Sequence, residues 1–202
     1  MLVIGLTGGL AAGKSTAAGF FAAAGVAVFD ADACVHRLYL GEAAPAVAAV
    51  FPDAVRDGRV DRSALGNIVA SDPAALGQLE RIVHPLVRNE EARFLTRLRA
   101  AGARAVLLDV PLLLETESAA SADIVIAVLA PIELRRARAA RRGMTADRFA
   151  ALSARQIDDA GRLRRSHFGV DSGGEVEGTR RAVAAILRAL APRLGGGGAR
   201  PN

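Results

Sequence analysis

The residues with the clearest chemical meaning lie near the N-terminus, in the stretch GLTGGLAAGKST at residues 5–16. This stretch fits the phosphate-binding pattern G-x-x-x-x-G-K-[ST], with Gly8 and Gly13 as its glycines and Lys14 and Ser15 as its last two positions. In such a loop the backbone N–H groups point at a phosphate, and the following helix adds partial positive charge. Lys14, the only lysine of the chain, is expected to reach the β- and γ-phosphates, and the Ser15 hydroxyl is expected to bind Mg²⁺. The alternative is a glycine turn that only joins a strand to a helix, and the pattern does not distinguish a kinase from a GTPase or a motor.

Two aspartates follow the next apolar segment, in the sequence VFDAD. If the chain is extended there, Asp30 and Asp32 point to the same side, because side chains alternate along a strand. One of these carboxylates could then accept a proton from an acceptor hydroxyl or help to hold Mg²⁺. A solvated turn or a helix cap is the alternative. Asp109 ends another apolar segment, AVLLD, where a Walker-B carboxylate is expected, and the alternative is a polar strand terminus.

Arginines crowd the stretch LRRARAARRGMT. Arg138 and Arg141 are three residues apart on a predicted helix, so they share one face and could meet the same triphosphate. An arginine on a mobile segment can neutralise the charge that develops on a transferred phosphoryl group. The alternative is a solvated basic helix face, which is the simplest interpretation of Arg135 and Arg142.

These residues need a scaffold that brings strand ends and helix starts together. Apolar runs predict five parallel strands, at residues 2–6, 26–29, 105–109, 123–129 and, more weakly, 167–171. Helices are predicted between them, notably at residues 15–24, where Gly25 ends the helix, and at residues 175–190. Strands that alternate with helices predict an α/β fold with helices on both faces of a parallel sheet.

The long gap between the second and third strands carries helical periodicity and no convincing strand. Asp72 and Pro73 resemble the N-cap and first-turn proline of a helix that contains LGQLERIV. A later arginine-rich segment at residues 134–165, called the excursion below, is also predicted to be helical, with Thr145 as an expected helix cap. We therefore expect one domain, with a core at 1–31, 103–133 and 166–193, a helical insertion at 32–102, a helical excursion at 134–165 and a flexible tail at 194–202.

The composition restricts the classes of protein. A single cysteine excludes an intramolecular disulfide, and Cys34 is most simply a small apolar helix residue. The N-terminus lacks a basic leader and no apolar run is long enough to span a membrane, so we expect a soluble, cytoplasmic protein. The net charge of +5 is compatible with nucleic acid, but one Tyr, seven Phe and no Trp leave few rings for stacking bases. Small polyanionic ligands explain the same excess of arginine.

Four sequence blocks resemble the dephospho-coenzyme A kinase family in their order and spacing: GLTGGLAAGKST, DAD, HPLV at residues 84–87 and PLLLE at residues 111–115. The resemblance covers about residues 1–190. Shikimate kinases also pair a P-loop with Asp-x-Asp, so the specific feature is the combination with the last two blocks.

This resemblance implies a phosphotransferase that uses ATP and Mg²⁺ to phosphorylate the ribose 3′-hydroxyl of dephospho-CoA, the last step of coenzyme A synthesis. It implies the fold of nucleoside-monophosphate-type P-loop kinases: a five-stranded core, a helical CoA-binding insertion at residues 32–102 and a lid at residues 134–165. Dephospho-CoA and ATP are the implied partners, and we expect neither nucleic acid nor a membrane among them.

The resemblance, together with the patterns above, also assigns site residues. Those expected to hold ATP are Gly8, Ala11, Ala12, Gly13, Lys14, Ser15, Thr16, Arg138 and Arg141. The expected catalytic side chains are Asp32 as the base, Lys14 and Arg141. Candidates for substrate binding are Asp30, His36 and His84, and candidates for Mg²⁺ are Ser15, Asp32 and Asp109. His84 could instead be a packed histidine at a helix start, and His36 a helix-surface residue.

The chain departs from the family pattern in its loops. Ala11 and Ala12 stand where family members carry more Gly and Ser, and Ile157-Asp158 replaces the usual Met-Pro after Gln156. Around the fifth strand, Ser166-His167 replaces Ala-Asp and Asp171-Ser172 replaces Asp-Asn, in a region expected to flank adenine.

Two other functions stay open at this point. Another small-molecule kinase, acting on shikimate, a nucleoside or a monophosphate, would share the P-loop and the Asp-x-Asp. However, a helical insertion of about 70 residues is larger than the binding of a small acceptor requires. A non-catalytic nucleotide switch or a basic nucleic-acid partner would have no use for an acid such as Asp32 aimed at an acceptor hydroxyl.

Overall fold

The structure, a computed structural model, describes residues 1–70, 72–111, 113–115 and 121–195. The chain divides into two compact units, one formed by Met1–Phe29 with Leu98–Asn202 and the other by Asp30–Arg97. In the described ranges, every helix is too short or too polar to cross a membrane.

Strands and helices alternate along most of the chain. The strands are β1 (Leu2–Gly8), β2 (Ala27–Asp30), β3 (Val55–Arg56), β4 (Arg59–Val60), β5 (Ala105–Asp109), β6 (Ile124–Leu129) and β7 (Phe168–Asp171). The helices are α1 (Lys14–Ala23), α2 (Ala31–Tyr39), α3 (Ala44–Ala48), α4 (Arg62–Ala70), α5 (Pro73–Ala100), α6 (Ile132–Arg141), α7 (Ala146–Ser153), α8 (Asp159–Arg164) and α9 (Val176–Gly195).

A five-stranded sheet with the order β2-β5-β1-β6-β7 forms the centre of the first unit. Strand β1 pairs in parallel with β5 and β6, and β6 pairs in parallel with β7. The register places Leu6 opposite Asp109 and Gly8 opposite Val128, so the ends of β1, β5 and β6 meet at one edge of the sheet. The predicted α/β fold with five strands is confirmed.

Strand β1 is central because its side chains are apolar on both faces. Ile4 and Leu6 are completely buried, and they pack in one core with Phe21 of α1 and Ile186 of α9. Burial of a large apolar side chain contributes about 1.5–3 kcal/mol, so Ile4 and Leu6 hold one face of the strand firmly. Val3, which points to the opposite face, is buried as well. The loop that follows β1 therefore begins from a rigid support.

The second unit is mainly helical, but it contains a feature that the sequence analysis missed. The segment thought to lack strands carries a small hairpin, in which Val55 pairs with Val60 and Arg56 with Arg59. Asp57 and Gly58 form its turn, with φ angles of 49° and 70°. An Asp-Gly pair with positive φ at both positions is typical of a tight hairpin turn, and it was the signal available in the sequence.

Helix α5 is the longest element of the chain and starts as predicted. The Asp72 carboxylate accepts hydrogen bonds from the N–H groups of Ala74 and Ala75, at 2.8 and 3.1 Å. Pro85 lies inside this helix and cannot donate the hydrogen bond that the Arg81 carbonyl would otherwise accept. The later excursion also has the predicted helices α6, α7 and α8, with the Thr145 hydroxyl capping α7 at the Arg148 N–H over 3.3 Å.

Candidate active site

The P-loop runs from the end of β1 to the start of α1 and adopts a tight, partly left-handed backbone. Ala11 and Gly13 have φ angles of 59° and 91°, and the Ala12 N–H donates to the Gly9 carbonyl over 2.9 Å. Gly13 precedes α1 without any side-chain cap. The first N–H groups of this helix are therefore left for a ligand, as an anion-binding helix start requires.

Neighbouring elements explain why glycine is needed in this loop. A Cβ atom at Gly8 would lie 3.0 Å from the Val128 carbonyl oxygen, and one at Gly13 would lie 3.1 Å from the Ser172 hydroxyl. A Cβ atom at Gly9 would clash with the Arg135 guanidinium. The loop is thus enclosed by β6, by the segment after β7 and by α6.

Lys14 forms an ion pair with Asp109, the last residue of β5. Both side chains are largely buried, with 14% of the Lys14 and 5% of the Asp109 side chain exposed. The sequence placed Asp109 at a strand end beside the nucleotide site, and the structure brings it to the P-loop lysine. Asp109 is the last residue of its strand, but its carboxylate is buried against the Lys14 ammonium and does not face solvent.

A cavity of about 270 Å³ opens beside the P-loop. Its lining includes Gly13, Thr16, Arg138, Arg141, Arg142 and Ser172. The Arg138 guanidinium also donates to the Ser172 carbonyl over 2.6 Å, which fixes its position at the wall. The two arginines expected to share a face therefore do share one cavity with the loop, and Arg142, which is exposed as expected, also lines it.

Arg135 is not the solvated side chain that the sequence suggested. Only 6% of the residue is exposed, and its Nε atom donates to the Leu10 carbonyl over 2.9 Å. Gln156 holds the other side of the same residue, since its Oε1 atom accepts the Leu10 N–H over 2.8 Å. Burial lowers the pKa of Arg135 from its ordinary value, and the neighbouring Asp159 carboxylate acts in the opposite direction. Leu10, in the P-loop, is thus held by two side chains from the excursion.

A second buried arginine supports this arrangement. Arg162 is completely buried and donates to Asp159 over 3.1 Å and to Glu115 over 3.2 Å. Glu115, the last residue of the PLLLE block, also accepts the Ile157 N–H over 3.1 Å. Arginine content alone did not reveal this network, because helical periodicity in the sequence does not separate inward-facing from outward-facing arginines.

Ser172, noted as a departure from the family pattern, lies between the P-loop and the sheet. Its hydroxyl donates a short hydrogen bond to the Ala12 carbonyl and lies 3.1 Å from the Leu129 carbonyl. The residue is only 4% exposed. The segment after β7 is therefore tied directly to the phosphate-binding loop.

The two aspartates after β2 take different positions. Asp30 is the N-cap of α2, and its Oδ1 atom accepts the Ala33 N–H over 2.8 Å. Asp32 lies in the first turn of α2 and is exposed. The expectation of an extended chain here is wrong, because the helix starts at Ala31, directly after the strand. The cap accounts for Asp30, whereas no hydrogen bond within the described residues accounts for Asp32.

The histidines of the second unit are both exposed. His36 lies on α2, where its Nδ1 atom is 2.9 Å from a terminal nitrogen of Arg62. His84 lies within α5 and is exposed, so the alternative of a packed histidine at a helix start is wrong. Cys34 is the buried helix residue that was expected, and burial raises the pKa of its thiol.

No group of three or more His, Cys, Asp or Glu side chains that could hold a metal occurs among the described residues. Ser15, in the first turn of α1, is exposed. Mg²⁺ is usually bound by one or two protein ligands together with substrate phosphates and water, so a prebuilt protein cage is not expected.

The sheet with β1 at its centre, the P-loop and the arginine-lined cavity define a P-loop protein with the fold of small-molecule kinases. The family model for dephospho-CoA kinase matches residues 2–177. The chain belongs to the dephospho-CoA kinase family, and its class of enzyme is a phosphotransferase with an alcohol acceptor.

Curated relatives match this chain in sequence over almost its whole length. The chain is 48% identical over 196 residues to a dephospho-CoA kinase from Mesorhizobium japonicum, a match that covers 96% of this chain and 100% of the relative. It is 45% identical over 191 residues to a dephospho-CoA kinase from Brucella melitensis, covering 94% of this chain and 96% of the relative.

Solved structures support the same fold. A crystal structure of a protein from Thermus thermophilus matches with a TM-score of 0.81 and 35% identity, covering 94% of this chain and 97% of that one. A dephospho-CoA kinase from Campylobacter jejuni matches with a TM-score of 0.66 and 23% identity, covering 93% and 96% of the two chains. A shikimate kinase from Acinetobacter baumannii matches with a TM-score of 0.51 and 16% identity, covering 95% and 94%, and therefore shares the fold alone.

Proposed function

We propose that this chain transfers the γ-phosphoryl group of ATP to the ribose 3′-hydroxyl of dephospho-CoA, giving coenzyme A and ADP. The observation that carries this proposal is the cavity in which Gly13 and Thr16 of the P-loop meet Arg138 and Arg141. Combined with membership of the family, this cavity supports phosphoryl transfer better than a binding role.

The P-loop has the features that ATP phosphates need. Its positive-φ backbone, its uncapped helix start and the absence of room for side chains at its glycines all favour a phosphate in close contact with backbone N–H groups. We assign phosphate binding to Gly8, Ala11, Ala12, Gly13, Lys14, Ser15 and Thr16. Lys14, already beside a carboxylate, would present a compact ammonium to the β- and γ-phosphates.

Arg138 and Arg141 have different proposed roles. Arg138 is anchored to Ser172 and is suited to hold bound nucleotide in the ground state. Arg141 ends α6, lines the cavity and makes no side-chain hydrogen bond within the described residues, so it is suited to meet charge that develops during transfer. Such an arginine lowers the barrier only if its interaction is stronger in the transition state.

Asp32 is the proposed general base. It is exposed on the first turn of α2, while the cap hydrogen bond of that helix is made by Asp30. An exposed carboxylate of this kind can accept the proton of the 3′-hydroxyl as the oxygen attacks phosphorus. Asp30, His36 and His84 stay candidates for contact with the acceptor.

Magnesium fits the site through Ser15, with Asp109 and Asp32 as further candidate ligands. When bound, it would neutralise the charge of the ATP phosphates. We also keep the cytoplasmic location, and the lack of nucleic-acid and membrane partners, as predictions.

The test is ADP release from ATP and Mg²⁺, with dephospho-CoA, shikimate and nucleosides offered separately. We expect dephospho-CoA to be strongly preferred and its product to carry a new 3′-phosphomonoester, identified by mass and by ³¹P NMR. A higher kcat/KM with shikimate or a nucleoside, or a phosphate on another hydroxyl, would contradict the proposal.

A further inference from the structure

An exposed pair of nitrogen-bearing side chains lies on the second unit. Arg62, the first residue of α4, places a terminal guanidinium nitrogen 2.9 Å from Nδ1 of His36, on α2. The Arg62 charge also acts on Tyr39 of α2, where it opposes the rise in the tyrosine pKa that burial causes. The guanidinium is therefore held over the surface of α2 rather than extended into solvent.

The contact fixes the chemistry of the histidine. A guanidinium can only donate hydrogen bonds, so Nδ1 of His36 must be the acceptor and the ring proton must be on Nε2. In the described part of the chain, this histidine is the partner of Arg62, and no carboxylate neutralises the guanidinium. The pair thus offers donors alone: the remaining Arg62 N–H groups and the Nε2–H group of His36. An exposed set of donors with a net positive charge suits a phosphate or diphosphate.

His36 also stands in a defined relation to Asp32. The two residues are four positions apart on α2, so they share one helix face with their Cβ atoms about 5–6 Å apart. The proposed function places the acceptor ribose at Asp32, with its 3′-hydroxyl toward the carboxylate. The same ribose carries the 5′-diphosphate of dephospho-CoA, which must lie within a short reach of that face.

We propose that Arg62 and His36 bind the 5′-diphosphate of the acceptor and that Arg62 is a specificity-determining residue for a phosphorylated acceptor. This inference rests on the proposed function, because Asp32 is the point from which the ribose is placed. It makes the charged side chain at position 62 the element that distinguishes dephospho-CoA from an unphosphorylated nucleoside with the same 3′-hydroxyl.

The experiment compares Arg62→Gln with the wild type on two acceptors, dephospho-CoA and adenosine. Loss of a hydrogen bond to a charged group costs about 1.5–3 kcal/mol of binding free energy. The kcat/KM with dephospho-CoA should therefore fall about 10- to 100-fold, mainly through a higher KM. With adenosine, which lacks the diphosphate, the variant should stay within about threefold of the wild type, and the KM for ATP should not change. Arg59→Gln, which removes another exposed arginine of this unit, is the matched control and should show no such selectivity.

Binding of dephospho-CoA and of adenosine in the absence of ATP is measured by calorimetry on the same preparations, with circular dichroism to confirm folding. Arg62→Gln should weaken dephospho-CoA binding at least tenfold and leave adenosine binding unchanged. An equal loss with adenosine, no loss with dephospho-CoA, or the same loss in Arg59→Gln would overturn the inference. If the wild type does not phosphorylate dephospho-CoA, the proposed function fails, and the binding comparison still decides whether Arg62 recognises the diphosphate.

Discussion

The ammonium of Lys14 and the carboxylate of Asp109 are paired at the edge of the sheet where β1 and β5 end. The pair is largely buried, which means that the space around the ammonium is set by the protein and not by solvent. Elsewhere the chain uses arginine for every permanent cation, so lysine at this position is a matter of shape as well as charge.

We expect Lys14→Arg to retain the fold but to show less than about 1% of the wild-type kcat/KM with dephospho-CoA. A guanidinium is planar and wider than an ammonium, so it should be displaced beside Asp109, and a shift of about 1 Å can cost about 100-fold in rate. Circular dichroism and steady-state kinetics on the same sample provide the test. A folded variant within about tenfold of the wild type would show that charge alone is sufficient.

Asp32→Asn should lower kcat by about 10²–10⁴-fold while ATP affinity stays the same, because the amide cannot take the proton of the hydroxyl. Asp30→Asn is the comparison variant, since asparagine caps a helix about as well as aspartate. Its kcat should fall less than that of Asp32→Asn. Near-normal turnover in Asp32→Asn would remove Asp32 from the mechanism.

Arg141→Ala should act on the transition state, so kcat should fall more than the KM for dephospho-CoA rises. Arg136→Ala, which removes an exposed arginine paired with Glu133 on the same helix, should have little effect on either constant. Kinetics with both substrates varied would separate the two parameters. A change in KM alone would make Arg141 a ground-state binding residue.

Ala11→Gly should stabilise the fold by about 0.5–1 kcal/mol, because alanine at a φ of 59° carries strain that glycine does not. Ala12→Gly is the matched control: Ala12 is buried and has no positive φ, so glycine there should destabilise the protein. Thermal unfolding of both variants gives the comparison. A lower melting temperature for Ala11→Gly would show that the backbone strain at Ala11 is smaller than the entropic cost of glycine.

Arg162→Met should destabilise the protein by about 3–5 kcal/mol, since removing one partner leaves the carboxylates of Asp159 and Glu115 without their guanidinium. The exposed neighbour Arg164 provides the control, and Arg164→Met should stay within about 0.5 kcal/mol of the wild type. Urea unfolding measures both values. A loss below about 1 kcal/mol for Arg162→Met would show that the buried network adds little to stability.

Much of the fold could be predicted because it depends on local patterns. Apolar runs located the strands of the sheet within one or two residues, and Gly25, with a φ of 84°, follows the end of α1 as expected. The hairpin at Val55–Val60 was missed because two-residue strands carry no periodicity, and its Asp-Gly turn was the available signal.

The site residues that belong to a sequence motif could be predicted, whereas those positioned by tertiary packing could not. The P-loop and Asp109 could be located from the sequence, because their positions follow from strand ends. Arg135 and Arg62 could not, since the sequence gives no sign that one contacts the Leu10 carbonyl and the other His36. Neighbouring arginines in one sequence run can therefore differ completely in burial, as Arg135 and Arg136 do.

The hydrogen bonds that hold Leu10 also have a consequence for the order of synthesis. Its partners Arg135 and Gln156 lie 125 and 146 residues further along the chain. On the ribosome the P-loop is translated before both partners, and it lacks them until Gln156 has left the exit tunnel. Contacts of such long range form late in folding. The loop is thus made long before the contacts that complete it, and ATP affinity in a nascent chain would report the end of folding and not its beginning.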